Sequence, residues 1–165
     1  MSVVFFAGAQ HGSSGLAFCV FAAWTEGVVM TMITTEMLDS YPADLGGIDR
    51  QKLAECIQEC YSCAQACTAC ADACLSEGDV AGLVKCIRSN LDCADICFAT
   101  GQVLSRHTGY DANLTRAMLE ACATACKACG DICAEHSGHM AHCEHCAREC
   151  RKCEAACREL IGALG

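Results

Sequence analysis

The chain has 165 residues, room for one domain with a sizeable core, yet only 5% are aromatic and 19 are cysteine. A net charge of −9, from 11 Lys and Arg against 20 Asp and Glu, offers no basic stripe for nucleic acid and reads as an ordinary solvated surface. A secreted disulfide scaffold is disfavoured too: the cysteine total is odd, the thiols share helix faces, and no Lys or Arg precedes Arg50 to form the basic start of a signal peptide.

Residues 1–30 differ in character from the remainder of the chain. They carry Gly-Ser punctuation, most of the aromatics and an isolated Cys19. They read as an N-terminal extension, with Met30 and Met32 as alternative starts and no function given to His11 or Cys19. The apolar run Leu16–Trp24 is too short to span a bilayer, so no membrane role is expected. Residues 31–165 read as one Cys-rich domain. Its first stretch, TMITTEMLDSY, predicts a short helix over 31–41 with Met32, Ile33, Met37 and Leu38 on one side. Pro42 ends it and residues 43–48 form a linker. Such a helix can cap one end of a bundle.

The first long helix is predicted from about Asp49, an N-cap residue, to Glu77, with Gly78 as its C′ residue. It holds CIQECYSCAQACTACADAC, in which Cys56, Cys60, Cys63, Cys67, Cys70 and Cys74 are spaced by steps of 4, 3, 4, 3 and 4. That is the seam of a bundle helix, built here from thiols. The next helix is predicted from about Asp79 to His107, with Leu83, Cys86, Asn90, Cys93, Cys97, Thr100, Leu104 and His107 in its seam. A third runs from about Asp111 to His136 with Thr115, Met118, Cys122, Cys126, Cys129 and Cys133, and a fourth carries His139, Cys143, Cys146, Cys150, Cys153, Cys157 and Leu160.

Very short turns force neighbours antiparallel. The expected fold is therefore all-α: an up-down-up-down antiparallel four-helix bundle with a short N-terminal helix, each long helix roughly 40 Å. One end gathers Leu53, Leu104, His107, Met118 and Leu160 and is read as plugged. The other gathers Glu77, Asp79, Leu83, His136, His139, Met140, His142 and His145 and is read as a polar mouth where metal enters.

Cysteines three or four apart on a helix are neighbours, so each pair can share a metal and facing helices can add further sulfurs. Thiolates select Cu(I), Zn(II) or iron–sulfur clusters. Zinc and iron–sulfur sites use discrete quartets, which do not account for continuous thiol seams. Cu(I) accepts few ligands, and one positive ion per thiolate neutralises buried charge that would otherwise be very costly. A Zn(II)-binding or redox thiol protein with no storage role is the alternative, and a bundle using Cys only for packing a distant third. No catalytic triad, phosphate loop or open metal site is present, so no enzyme activity is expected.

In these seams the chain resembles the bacterial copper storage proteins, Cys-lined four-helix bundles, over about residues 31–165. The resemblance is carried by Cys56, Cys60, Cys63, Cys67, Cys70 and Cys74; Cys86, Cys93 and Cys97; Cys122, Cys126, Cys129 and Cys133; and Cys143, Cys146, Cys150, Cys153 and Cys157. It implies many Cu(I) ions bound along the interior, for copper storage, buffering and detoxification. For the cytoplasmic branch it implies homotetramers and a His-rich mouth, here His136, His139, His142 and His145 with Met140. A copper donor or acceptor protein, or a small thiol, is the implied partner. The second long helix departs from the pattern with only three Cys; Asn90 and Thr100 there either bond sulfurs or leave gaps.

Overall fold

The chain enters its first long helix through Asp49, whose Oδ1 accepts hydrogen bonds from the Gln51 and Lys52 amides at 3.1 and 3.2 Å. Asp111 does the same for Asn113 and Leu114 at 2.8 and 3.1 Å. In each case a carboxylate satisfies amides that have no partner inside the helix and complements its positive end. The computed structural model of the protein describes the backbone of residues 28–164 and the side chains of residues 33–164. The expectations for residues 1–27, His11 and Cys19 among them, lie outside the described residues, as does the side chain of Met32.

The elements are α1 (Val28–Asp39), α2 (Arg50–Leu75), a 3-10 turn (Ala81–Leu83), α3 (Val84–Leu104), α4 (Ala112–His136) and α5 (Ala141–Ala163). No strand occurs among the described residues. The helix α2 packs on α3 and α5, α4 packs on the same two, and α1 lies against α2. This is the expected antiparallel four-helix bundle with a short N-terminal helix.

Local chemistry moves several expected boundaries. The helix α2 stops at Leu75, with Ser76 as its C-cap, and Gly78 does not serve as a positive-φ C′ residue. After the turn, Asp79 Oδ1 accepts from the Gly82 amide at 3.1 Å and holds a 3-10 turn, so α3 begins at Val84 and not near Asp79. It ends at Leu104, where the Ser105 hydroxyl donates to the Gly101 carbonyl at 2.8 Å. Gly109, at φ +67°, then takes a left-handed conformation that suits glycine and reverses the chain. His139 stays in the last turn, one residue before Met140, the N-cap of α5.

Two seam assignments change as well. In α4 the fully buried side chain is Leu119; Met118 is half-buried. Thr115, Leu119, Cys122, Cys126, Cys129 and Cys133 then keep an unbroken 4, 3, 4, 3, 4 rhythm. In α1 the side chain facing the core is Leu38, while Ile33 and Met37 face outward. Leu38 and Leu45 join the apolar end of the bundle, which is filled by Leu53, Leu104, Leu119 and Leu160. Tyr41 closes the same end: its ring meets His107 edge-on at 5.2 Å and its hydroxyl lies 2.9 Å from Thr108 Oγ1.

A buried thiol core as candidate metal centre

Each long helix turns its 3-4 stripe to the bundle axis, and with it every described thiol. All eighteen are free and buried, and none is more than 2% exposed. They stack in contact along the axis. At the plugged end Cys56 and Cys157 sulfurs are 3.8 Å apart, and Cys60 lies 4.0 Å from Cys122 and 3.9 Å from Cys153. Next, Cys97 is 3.4 Å from Cys126, and Cys63 is 3.8 Å from both Cys126 and Cys150. Further along, Cys67 is 3.6 Å from both Cys146 and Cys150. Towards the mouth, Cys86 is 3.8 Å from Cys133 and Cys70 is 3.8 Å from Cys143.

These separations suit metal ligation. A thiophilic ion sitting about 2.3 Å from each of two sulfurs bridges gaps up to about 4.6 Å. The four-ligand groups also overlap. Cys63 belongs to one set with Cys67, Cys93 and Cys150 and to another with Cys97, Cys126 and Cys153; Cys67 and Cys150 recur with Cys129 and Cys146. Cys153, Cys63, Cys67 and Cys150 join four of the groups into one ladder instead of separate closed quartets, while Cys70, Cys74, Cys143 and His142 make a group of their own at the mouth.

Asn90 and Thr100 interrupt that ladder in different ways, although both are fully buried. The Asn90 amide donates to the Cys86 carbonyl at 2.9 Å and to the Cys86 and Cys133 sulfurs at 3.4 Å. Its Oδ1 accepts from Cys146 at 2.9 Å and Cys129 at 3.4 Å. Thr100 turns back on its own helix and donates to the Ile96 carbonyl at 2.8 Å. Asn90 therefore bonds sulfurs, whereas Thr100 is spent locally.

Electrostatics favour neutral thiols in the metal-free core. Burial pushes Cys74, Cys86 and Cys143 above the ordinary thiol range. Within the stack, bonds from Cys126 and Cys150 hold Cys63 low, while Cys129 and Cys146 push Cys67 up. One thiolate is thus stabilised by thiol neighbours that must keep their protons, and only added cations permit many thiolates at once.

At the mouth the His and Met side chains have separate places. His142 reaches the thiols: its Nδ1 lies 3.4 Å from Cys70 Sγ and 3.5 Å from Cys143 Sγ. Its Nε2 lies 3.0 Å from Glu77 Oε1, which fixes the ring with Nδ1 facing the sulfurs. Burial disfavours charge on this imidazole, but the bonds to Cys70 and Glu77 outweigh it and raise its pKa. With Cys70, Cys74 and Cys143 it forms a mixed ligand group. His136 and His139 meet edge-on at 6.1 Å, Met140 packs against the core, and exposed His145 lies 3.3 Å from Arg148 Nη1. Sequence reasoning placed Glu77 at this end but gave it no role; only the fold aims its carboxylate at a ring 65 positions away.

A family model described as copper storage protein matches residues 49–162. Among solved structures, the copper storage protein Ccsp from Streptomyces lividans, loaded with 10 copper equivalents, is 65% identical with a TM-score of 0.78, over 79% of this chain and 98% of that one. A cytosolic copper storage protein from Streptomyces lividans, in a structure of its copper loading with five coppers, is 67% identical with a TM-score of 0.71, over 73% of this chain and 100% of that one. No curated protein matches the chain.

Proposed function

Because the chain belongs to the copper storage protein family, we propose that its eighteen buried thiols are the ligands of its copper store. The protein binds many Cu(I) ions through thiolates lining the bundle, for storage, buffering and detoxification. The observation that carries the ligand assignment is the overlap of the thiol groups, four of which are joined by shared sulfurs along the axis. No observation favours the zinc alternative. The family role is storage and not catalysis.

In this reading Cu(I) arrives at the His-rich end, where His136, His139, Met140 and His145 surround the approach. His142, held by Glu77, presents Nδ1 beside Cys70 and Cys143. A thiol then gives up its proton as the copper–sulfur bond forms, and the ion is neutralised by the thiolate it creates. From there the ion moves by sulfur-for-sulfur exchange, across gaps of 3.4–4.0 Å within the inner stack. Metallation releases protons, so apparent affinity rises with pH.

Cytosolic placement rests on the Streptomyces relative being a cytosolic protein. A homotetramer rests on the family resemblance, and exposed Val84, Leu91 and Phe98, at seven-residue spacing on α3, support a self-contact. A copper-carrying protein or a small thiol is the exchange partner. Anaerobic titration of the reduced protein with Cu(I) against a competing chelator tests the assignment: uptake of many ions is expected. Saturation at one or two ions would sink the storage reading, and Zn(II) bound in equal number and surviving Cu(I) challenge would establish the rival.

A further inference from the structure

Between α2 and α5 the outside of the bundle carries a groove of about 660 Å³. It exists because α2 presents Ala69 and Ala73 there, side chains too small to fill the space between the helices. Cys70 and Cys146 also line it, at 2% and 1% exposure, whereas fourteen of the eighteen thiols are at 0%. Two core thiols thus border solvent along the side of the bundle.

Charge in the groove is specific. Arg148 lines it and is more than half exposed. Its Nε pairs with Glu149 Oε1 at 3.1 Å, but Glu149 also takes Lys152 Nζ at 3.2 Å on both oxygens. The carboxylate is shared between two cations, and Nη1 lies 3.3 Å from His145 Nδ1, which leaves Nη2 of the guanidinium to take a second anion. A cleft of this volume suits a small molecule. His142 and His145 line the groove as well, so it runs from the mouth along the flank, with Cys70 and Cys146 at its floor within reach of an incoming soft ligand.

We propose that this groove docks a small thiol bearing a carboxylate, which exchanges Cu(I) with Cys70 and Cys146 through the flank of the bundle. The proposal rests on the storage reading. The carboxylate sits on Arg148 and directs the thiol inward past Ala69. The incoming sulfur bonds the copper, the bond from copper to Cys70 or Cys146 breaks, and the proton of the incoming thiol passes to the released cysteine sulfur. Copper stays Cu(I) throughout, so no oxidant or reductant is needed. Run in reverse, the same step loads the protein.

The test monitors Cu(I) leaving the loaded protein anaerobically, with a chromophoric Cu(I) chelator as sink. N-acetylcysteine is compared with N-acetylcysteamine, which has the thiol but no carboxylate. N-acetylcysteine is expected to withdraw copper about threefold faster, the effect of one exposed charge pair. Arg148→Gln should abolish that preference and Arg148→Lys restore part of it. Ala69→Leu, on an exposed face where the added bulk meets solvent and not core, should slow withdrawal by both thiols. Equal rates for the two thiols, or an unchanged rate in Ala69→Leu, would overturn the proposal. Total Cu(I) capacity, measured on the same samples, separates the readings: full capacity with an insensitive rate removes the groove alone, while a capacity of one or two ions removes storage itself.

Discussion

Asn90 and Thr100 show how much one seam position can differ from another. Asn90 carries a donor and an acceptor on a side chain long enough to cross the axis, and it contacts the sulfurs of Cys86, Cys129, Cys133 and Cys146. Thr100 is shorter, and its hydroxyl is satisfied by the Ile96 carbonyl. Asn90→Ala, which leaves a void and unpaired thiols, should cost the reduced apoprotein about 2–3 kcal/mol in urea unfolding. Thr100→Val should cost less than about 1 kcal/mol and leave Cu(I) capacity unchanged; equal costs would contradict the division of roles. The sequence marks both residues as breaks in a thiol seam, but which of them bonds sulfur depends on what faces it across the axis. The same holds at the mouth. Five His and Met residues share one end by sequence, yet His142 is the one clamped between Glu77 and two thiols. His142→Ala should slow initial Cu(I) loading about tenfold in stopped-flow measurements, and more than His139→Ala does. The reverse order would move the entry point to the turn.

Among the elements, the four long helices were legible because alternating steps of three and four suit a bundle seam and not a strand. Their ends were less so. The 3-10 turn at Ala81–Leu83 depends on a bond from Gly82 to Asp79, and Leu119 displaces Met118 because it alone keeps the alternating steps of four and three between Thr115 and Cys122. Helix spacing was not legible at all, since it is set by pairwise approach. A Cβ on Gly130 would meet the Cβ of Cys150 and the Cζ of Arg151, each at 3.2 Å, where Arg151 of α5 also pairs with Asp131 of α4 and its Nη1 donates to the Lys127 carbonyl at 3.4 Å. The Arg151 tip can move; the Cys150 Cβ is fixed to the core backbone. Gly130→Ala gains about 1 kcal/mol of helix propensity, but parting two helices over a packed seam costs about 1–3 kcal/mol. A net loss of about 1 kcal/mol is expected in urea unfolding, and a gain would mean that α4 and α5 slide apart freely.

For the whole molecule, the metal-free and loaded forms should respond to alkali in opposite ways. In the apoprotein, burial raises Cys74, Cys86 and Cys143 above the ordinary 9.0 of an exposed thiol. Below pH 9 these groups are protonated both folded and unfolded, and their contribution to stability is fully present. Above it, the unfolded chain loses protons that the folded chain retains, so unfolding becomes favoured and stability falls as pH climbs towards the folded values. Thiols held low, such as Cys63, do not reverse this: once the unfolded thiol is also ionised they add no further pH dependence. Copper removes the penalty, because each thiolate is then neutralised by its ion, and binding to the folded state adds stability by mass action. Thermal melts of reduced protein under anaerobic conditions should therefore show the apo Tm dropping between about pH 8.5 and 10.5, while the loaded Tm stays higher and nearly level. An apo Tm that is flat across this range would mean that the core thiols ionise without cost. Copper would then be unnecessary for holding thiolates inside the bundle, and the one-ion-per-thiolate argument for Cu(I) would lose its physical basis.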